Sequence, residues 1–313
     1  MLHVIFGAGP VGLATMRELV KAGERVRIVN RSGKVSAPAG VEVCAGDASD
    51  KAQTRKLAQG AETVYFCVNP PYHEWAEKFP PMHTAILDAA IHTGAKLIAM
   101  ENVYAYGEVD RPMTEDLPYN AHTKKGQVRA KMSEELWNAQ KRGDVRAAIA
   151  RASDFYGPGV FDSALGDRVF AALVQGKAAQ VVGNIDVPHT FTYMEDVGRT
   201  LAILGRDERA LGHIWHVPNA PDMTTRQVIT LAAQLAGVEP KITALGKPMV
   251  WLIGRFIPAL REIYEMMYEF EKPFSVDSSK FTRTFGVSAT AYADGIAATL
   301  AWYREHLSVQ LPR

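Results

Sequence analysis

The sequence predicts an α/β protein: a Rossmann-type doubly wound parallel sheet with a smaller C-terminal α/β substrate domain, or lid. In the first half of the chain, short apolar runs alternate with helical patterns, and a glycine-rich loop directly follows the first run. After residue 153 this alternation lapses, and loops rich in Gly and Pro separate the remaining helical patterns. The 313 residues suffice for one large domain or two modest ones.

Six apolar runs have the length and composition of buried parallel strands. They are 2–7, 25–30, 41–46, 63–68, 96–101 and 147–153. Helical patterns lie between them, at 11–22, about 51–58, 74–93 and 124–141. The order predicts βαβ units with right-handed crossovers.

A further helical pattern at 194–207 is placed to return to the first domain. We therefore predict a dinucleotide-binding domain from 1–159 plus about 191–210, and a lid from 160–190 plus 211–313. In the lid, charges and Pro interrupt the apolar segment 248–270 well before the ~20 apolar residues of a membrane span. A buried or pocket-lining helix pair is the favoured interpretation, with contact at a membrane interface as the minor alternative.

Composition favours a small-molecule partner. A net charge of +1 provides no long-range field for nucleic acid or an anionic membrane. Cys44 and Cys67 lie in apolar runs, which predicts no disulfide framework and fits a reducing cytosol. The first residues form a strand pattern rather than a signal peptide, so we expect a cytoplasmic protein. The His and Cys spacings predict no metal site.

The glycine loop predicts the cofactor. Gly7, Gly9 and Gly12 have GxGxxG spacing between the first strand and the first helix, with Pro10 and Val11 inside the loop. In this arrangement the first glycine permits a tight turn, the second allows close approach of a pyrophosphate, and the third allows close packing of helix on strand. The helix N-terminus adds amides and a positive dipole.

The end of the second strand favours NADP, with NAD as the alternative. NAD enzymes usually place Asp or Glu there to bind the ribose 2′-hydroxyl. Here Asn30 is followed by Arg31 and Ser32. A neutral amide does not repel a 2′-phosphate, and a guanidinium with a nearby hydroxyl can hold one; a solvated Arg31 is the competing interpretation.

Two later strand ends add candidate cofactor contacts. Asp47 follows the third strand, where a carboxylate can accept from an adenine amino group. Val68, Asn69 and Pro70 end the fourth strand along the expected path of the cofactor. Ordinary loop roles are nearly as well supported for these residues by spacing alone.

Taken in order, these features resemble the extended short-chain dehydrogenase/reductase family, which includes nucleotide-sugar epimerases and dehydratases. The resemblance covers nearly the whole chain. Besides the glycine loop it includes "ENVYAYG" (101–107), "RASDFYGPGV" (151–160) and "FTYMEDVGR" (191–199). The loop is one residue shorter than the family's usual GxxGxxG, which marks the chain as atypical.

The resemblance implies a Tyr-x-x-x-Lys pair plus a Ser or Thr for proton and hydride chemistry. Lys131 matches the lysine, which would hold the nicotinamide ribose, but Gln127 stands at the tyrosine position and Asn102 at the hydroxyl position. The two amides can polarise a carbonyl by hydrogen bonding but cannot supply a proton near neutral pH. Tyr104 is the first-choice substitute acid, with a core aromatic role as the alternative. The other candidate acids are Tyr119, Tyr156, Tyr193, His189, Lys124 and Lys125.

Two functional hypotheses follow. The favoured one is an NADP(H)-dependent oxidoreductase or epimerase-type enzyme that acts on a small, fairly apolar carbonyl-containing molecule without the usual tyrosine. The alternative is a catalytically silent NADP(H)-sensing regulatory protein. The resemblance also implies a homodimer through the helices at about 74–93 and 124–141.

Overall fold

The computed structural model describes residues 1–310, and these form two compact units. Unit 1 comprises Met1–Gly107, Glu115–Ala152 and Val197–Val217. Unit 2 comprises Glu108–Thr114, Ser153–Asp196 and the described residues from Pro218 onward. The last residues of the predicted lid, 311–313, lie outside the described residues.

Unit 1 is built on a parallel seven-stranded sheet in the order β11-β6-β5-β4-β1-β2-β3. The predicted doubly wound α/β fold is thereby confirmed. The strands are β1 (Leu2–Phe6), β2 (Arg25–Asn30), β3 (Glu42–Ala45), β4 (Thr63–Phe66), β5 (Lys96–Asn102), β6 (Ala147–Ala152) and β11 (Ile214–His216). Every neighbouring pair among them is parallel.

The helices of unit 1 match the predicted patterns. They are α1 (Pro10–Lys21), α2 (Lys51–Leu57), α3 (Trp75–Thr93), α4 (Lys124–Lys141) and α6 (Met194–Arg206). Gly94 caps the C-terminus of α3, and its φ of 71° is left-handed. Thr123 caps the N-terminus of α4, where its Oγ1 accepts a hydrogen bond from the amide of Gly126 at 3.1 Å. From Val197 onward α6 belongs to unit 1, where Gly198 lies so close to Ala14 that a side chain would not fit.

Apolar side chains on strands and helices form the core of unit 1. Val4, Phe6 and Val64 of the central strands are fully or almost fully buried, as are Phe79 of α3 and Leu136 of α4. Because β4 and β5 are buried along nearly their whole length, both faces of the sheet are covered, as a parallel sheet requires.

Unit 2 combines short strands with helices. Its strands are β7 (Asp154–Tyr156), β8 (Ala179–Val182), β9 (Pro188–His189), β10 (Phe191–Tyr193), β12 (Met223–Thr224) and β13 (Ile242–Leu245). Its helices are α5 (Asp167–Val174), α7 (Thr225–Ala236), α8 (Lys247–Gly254), α9 (Pro258–Tyr264), α10 (Tyr268–Glu271), α11 (Ser279–Phe285) and α12 (Tyr292–Gln310). The strands pair two by two, β10 with β7, β12 with β9 and β13 with β8.

The apolar segment 248–270 forms α8, α9 and α10, but burial covers only part of it. Val250, Leu260 and Met267 form a small core of their own, whereas Trp251 and Phe256 are exposed. The prediction of a buried or pocket-lining helix pair is therefore wrong for the outer side of this segment. Periodicity shows that one side is apolar but not whether the fold covers it.

Within the described part of the chain, the helices lack the combined length and apolar character needed to cross a bilayer. The predicted homodimer through 74–93 and 124–141 stays a prediction.

Candidate cofactor and proton-transfer site

The glycine loop has the geometry that a bound pyrophosphate needs. Gly7 has a φ of 111°, and a Cβ on it would overlap the carbonyl oxygen of Cys67. A Cβ on Gly12 would overlap the carbonyl oxygen of Gly7. Gly9, in contrast, has open space within 4 Å at the N-terminus of α1, where the first amides lack intrahelical acceptors. The loop therefore fits a dinucleotide phosphate.

At the end of β2, the structure separates the roles of the three predicted residues. The Asn30 side chain closes a turn, accepting from the amide of Gly33 at 2.7 Å and donating to the carbonyl of Lys34 at 3.0 Å. Arg31 and Ser32 are exposed, and the Ser32 hydroxyl lies 3.5 Å from the Asn30 amide oxygen. Asn30 thus shapes the loop, and Arg31 is an exposed cation next to it that a ligand could contact.

The next two strand ends hold local turns. Asp47 accepts from both the amide and the hydroxyl of Ser49, at 2.9 and 2.7 Å, and these hydrogen bonds lower the pKa of its carboxyl. The charge of Arg31 also lowers the pKa of Asp47, although more weakly than these hydrogen bonds. The guanidinium therefore lies within electrostatic reach of that carboxylate. The Pro70 carbonyl accepts from the indole of Trp75 at 3.1 Å. Asp47 is exposed and lies near Arg31, so contact with an adenosine remains geometrically open.

Two tyrosines follow neighbouring strands of the sheet: Tyr72 comes after β4, and Tyr104 comes after β5. Of these two strands, β4 pairs with β1. The Tyr72 hydroxyl donates to the Tyr104 hydroxyl at 3.4 Å, and both side chains are half-buried. Asn102 Oδ1 accepts a hydrogen bond from the backbone N–H of Tyr104 at 3.2 Å, so the Asn102 side chain helps to position Tyr104. Because carboxyl ends of parallel strands share one sheet edge, the phenols and the glycine loop lie at the same edge.

Helix α4 presents two distinct sides. Gln127 and Lys131 are exposed, on a side shared with Lys124 and Glu134. Lys125 is only 4% exposed, and its Nζ lies 4.5 Å from the centroid of the Tyr72 ring. Residues two apart on a helix point about 200° away from each other, so a side chain at 127 cannot share the environment of one at 125.

A second buried cation follows one turn later. Arg129 is 5% exposed, and its guanidinium lies 4.0 Å from the Phe79 ring centroid and 4.6 Å from that of Trp75. Burial lowers the pKa of Arg129 to about 10, so it stays charged at neutral pH. The buried i, i+4 pair on α4 is therefore Lys125 and Arg129, two residues before the predicted pair Gln127 and Lys131.

A buried ion pair fixes the ends of β5 and β6. Arg151 is fully buried and donates from Nε and Nη2 to Glu101 Oε2, at 3.1 Å each. The Ser133 hydroxyl lies 2.6 Å from the same oxygen, and Arg151 also donates to the Tyr119 hydroxyl at 2.9 Å. This network ties α4 to the sheet, and it uses Tyr119 as a structural residue.

The other candidate acids in the second half lie in unit 2. His189 is buried, with Nε2 2.8 Å from Asp154 Oδ2 and its ring stacked on Phe270. Tyr156 is buried, and burial raises the pKa of its phenol, which makes it a poor proton donor. Tyr193 is buried as well.

Sequence reasoning missed Tyr72, Trp75 and Arg129. Their signal was an aromatic cluster, "PPYHEW", directly after the fourth strand, together with the i, i+4 spacing of Lys125 and Arg129. The family's Lys pattern drew attention to Lys131 instead. Among residues 1–310, the structure brings together no group of three or more His, Cys, Asp or Glu side chains that could hold a metal ion.

Comparisons with known proteins bear on the family and the fold. Residues 4–217 match the family model for the NAD dependent epimerase/dehydratase family. A dTDP-glucose 4,6-dehydratase from Streptomyces griseus is 25% identical over 233 residues, which is 71% of this chain and 63% of the relative. The chain thus aligns with less than two thirds of that relative's length.

Solved structures with the same fold cover almost the whole chain. A double mutant of dTDP-glucose 4,6-dehydratase from Streptomyces venezuelae, solved with NAD and DAU bound, has a TM-score of 0.80 at 18% identity, over 99% of this chain and 98% of its own. UDP-glucuronic acid 4-epimerase from Bacillus cereus, solved with UDP-glucuronic acid and NAD, has a TM-score of 0.79 at 18% identity, over 98% of this chain and 100% of its own. At these identities the likeness shows the fold.

Proposed function

The chain belongs to the NAD dependent epimerase/dehydratase family, as its resemblance to extended short-chain dehydrogenase/reductases implied, and on this premise we propose that it is a nicotinamide-dinucleotide-dependent oxidoreductase or epimerase-type enzyme. The observation that carries the proposal is the Lys125–Tyr72–Tyr104 contact beside the glycine loop. It provides an acid–base group where the family's tyrosine is missing. We assign that role to Tyr104.

The bound cofactor would supply or accept a hydride. In the reducing direction, the Tyr104 hydroxyl gives its proton to the substrate's carbonyl oxygen while the carbonyl carbon gains the hydride. The phenolate left on Tyr104 is stabilised by the hydrogen bond from Tyr72 and by the nearby charge of Lys125. Solvent then returns the proton, so the chain ends in its starting state.

The cofactor proposed is NADP, with NAD as the alternative. The end of β2 carries no acid, and Arg31 is exposed near Asp47. The 2′-phosphate would be held by Arg31, with Ser32 beside it. Gly7, Gly9, Pro10, Val11 and Gly12 would hold the pyrophosphate, and the loop Val68–Asn69–Pro70 would border the nicotinamide half.

Lys131 stays a predicted contact of the nicotinamide ribose. Because Lys131 is exposed and Lys125 is buried beside Tyr72, we assign the stabilisation of the phenolate to Lys125. The substrate class proposed is a small carbonyl compound of fairly apolar character. The named relatives suggest sugar nucleotides as the class to test beside it.

The experiment is a single-turnover measurement of reduced-cofactor absorbance on a panel of ketones, enones and sugar nucleotides. With the best substrate, Tyr104→Phe should lower the rate by about 10²–10⁴-fold, the usual contribution of general acid catalysis. Gln127→Ala removes the rival amide donor and should keep the rate. A loss with Gln127→Ala and none with Tyr104→Phe would overturn the assignment.

An independent readout uses the chain without substrate. Tyrosinate absorbance followed against pH, taken as the difference between the parent chain and Tyr104→Phe, isolates the Tyr104 phenol. Lys125→Met should move that ionisation to higher pH, because the ammonium favours the phenolate. A Tyr104 ionisation at the same pH with and without the Lys125 ammonium would refute the role of this group.

The alternative function is a catalytically silent NADP(H) sensor. It is favoured by Gln127, an exposed amide at the position of the family's tyrosine. That alternative predicts dinucleotide binding with no turnover on any member of the panel. It also requires a partner that distinguishes NADP from NADPH, since a ligand with equal affinity for two states shifts neither.

A further inference from the structure

Unit 2 carries an exposed apolar surface on α8 and on the turn between α8 and α9. We call it the α8–α9 patch and define it by Met249, Trp251, Leu252, Phe256 and Ile257. Each of these side chains is about half exposed or more, and Phe256 is 82% exposed. Five large exposed apolar side chains within nine residues are unusual on a protein surface and mark an interaction site.

The patch is held in place from behind. Val250 on the inner side of α8 is fully buried, and it packs with Leu260 and Met267. Gly254 lies so close to the backbone of Arg261 that a Cβ added to it would lie 3.1 Å from the Arg261 amide nitrogen. The outer side chains are therefore displayed by a packed helical hairpin, and their exposure is a property of the fold.

Cations surround the patch. Lys247, Arg255 and Arg261 are exposed, and the Arg255 guanidinium lies 5.5 Å from the Trp251 ring centroid. From residue 240 to residue 261 the sequence contains four basic residues, Lys241 among them, and no Asp or Glu. The acids nearest to this stretch in the sequence are Glu239, which is exposed, and Glu262 and Glu265 of α9, which are half-buried.

We propose that the α8–α9 patch binds the surface of a lipid bilayer that carries anionic headgroups. A short helix and turn with exposed Trp and Phe and with flanking Lys and Arg can seat apolar side chains at the acyl boundary and basic ones among the headgroups. The lack of acids gives charge complementarity to an anionic surface. In a symmetric contact between two copies the same cations would face one another, which disfavours a second copy as the occupant.

The binding does not depend on the proposed enzyme activity. The overall net charge of +1 makes the attraction local to the patch. Each Lys or Arg near an anionic bilayer contributes about fivefold in affinity. Binding should therefore weaken when salt is raised.

The experiment is flotation of the full chain with phosphatidylcholine vesicles, with and without phosphatidylglycerol. The chain should float with the anionic vesicles and bind neutral ones at least about fivefold more weakly. The variant carrying Trp251→Ser and Phe256→Ser should lose at least about tenfold in affinity, because two large apolar side chains no longer leave water. Arg255→Gln should lose about fivefold.

Matched controls lie elsewhere in unit 2. Leu235→Ser removes an exposed apolar side chain on α7, and Arg168→Gln removes an exposed cation on α5; both should bind like the parent chain. Thermal unfolding midpoints show whether each variant is folded. Failure to float, equal loss in the controls, or a dimer in sedimentation that the Trp251/Phe256 variant dissolves would overturn the proposal.

Discussion

Lys125 shows how far a single residue can be predicted. The sequence places it six residues before the family's lysine position, and only the fold shows that it is buried over Tyr72 while Lys131 is exposed. The glycines are the opposite case. Their spacing alone predicts which of them must lack a side chain, because each role is set by backbone geometry within a few residues. Side-chain burial depends on partners distant in sequence, such as Tyr72 for Lys125.

Arg31 is the residue at which the cofactor preference can be tested. We expect Arg31→Ala to weaken NADP binding by roughly 1.5–3 kcal/mol, the range for a hydrogen bond to a charged group, and to leave NAD binding unchanged. Calorimetric titration with both dinucleotides measures the two affinities. Equal losses would show that Arg31 does not contact a 2′-phosphate, and Lys21→Ala, an exposed cation at the far end of α1, is the control.

Among the elements, the pairing of α3 with α4 determines what the site contains. α3 supplies Trp75 and Phe79, on which Arg129 packs, and the patterns at 74–93 and 124–141 located both helices almost to the residue. What the patterns did not show is the rotation of α4 about its axis. The segment 248–270 failed for a related reason, because an amphipathic pattern identifies the apolar side but not whether another element covers it.

The α3–α4 contact also predicts a pH dependence. His83 of α3 is 3% exposed, with its ring edge-on to Phe66 and Nδ1 3.3 Å from Glu135 Oε2 on α4. Burial lowers the pKa of His83 from 6.5 to about 4. The charge of Glu101 raises this pKa and that of Arg129 lowers it, but burial is the largest effect.

The sign follows from which state binds the proton. Below pH 6.5 the unfolded chain protonates this histidine while the folded chain keeps it neutral, so the free energy of unfolding falls as pH drops towards about 4. The loss from His83 alone should reach about 3 kcal/mol. Urea unfolding of the parent chain and His83→Leu across this range measures it as a difference, which removes the contribution of His3. A constant difference between the two proteins would show that His83 does not titrate on unfolding.

For the whole molecule, the order of the sheet was the most predictable feature. Alternation of apolar runs with helical patterns predicted a Rossmann-type doubly wound sheet, and the observed order from β6 to β3 is the order that such a sheet has. The site depends on that order, since it puts β4 between β1 and β5 and so places the glycine loop, Tyr72 and Tyr104 along one edge. The irregular second half offered no such rule, because its short strands pair across long stretches of chain.

A crystal structure of the chain with NADP bound tests the central claim most directly. We expect the nicotinamide C4 to lie along the edge formed by β1, β4 and β5, with the Tyr104 hydroxyl within about 3.5 Å of the position that a substrate oxygen would take. The Lys125 ammonium would remain beside Tyr72, and Lys131 would remain in solvent. A nicotinamide held by Lys131 and Gln127, with Tyr104 out of reach, would contradict it.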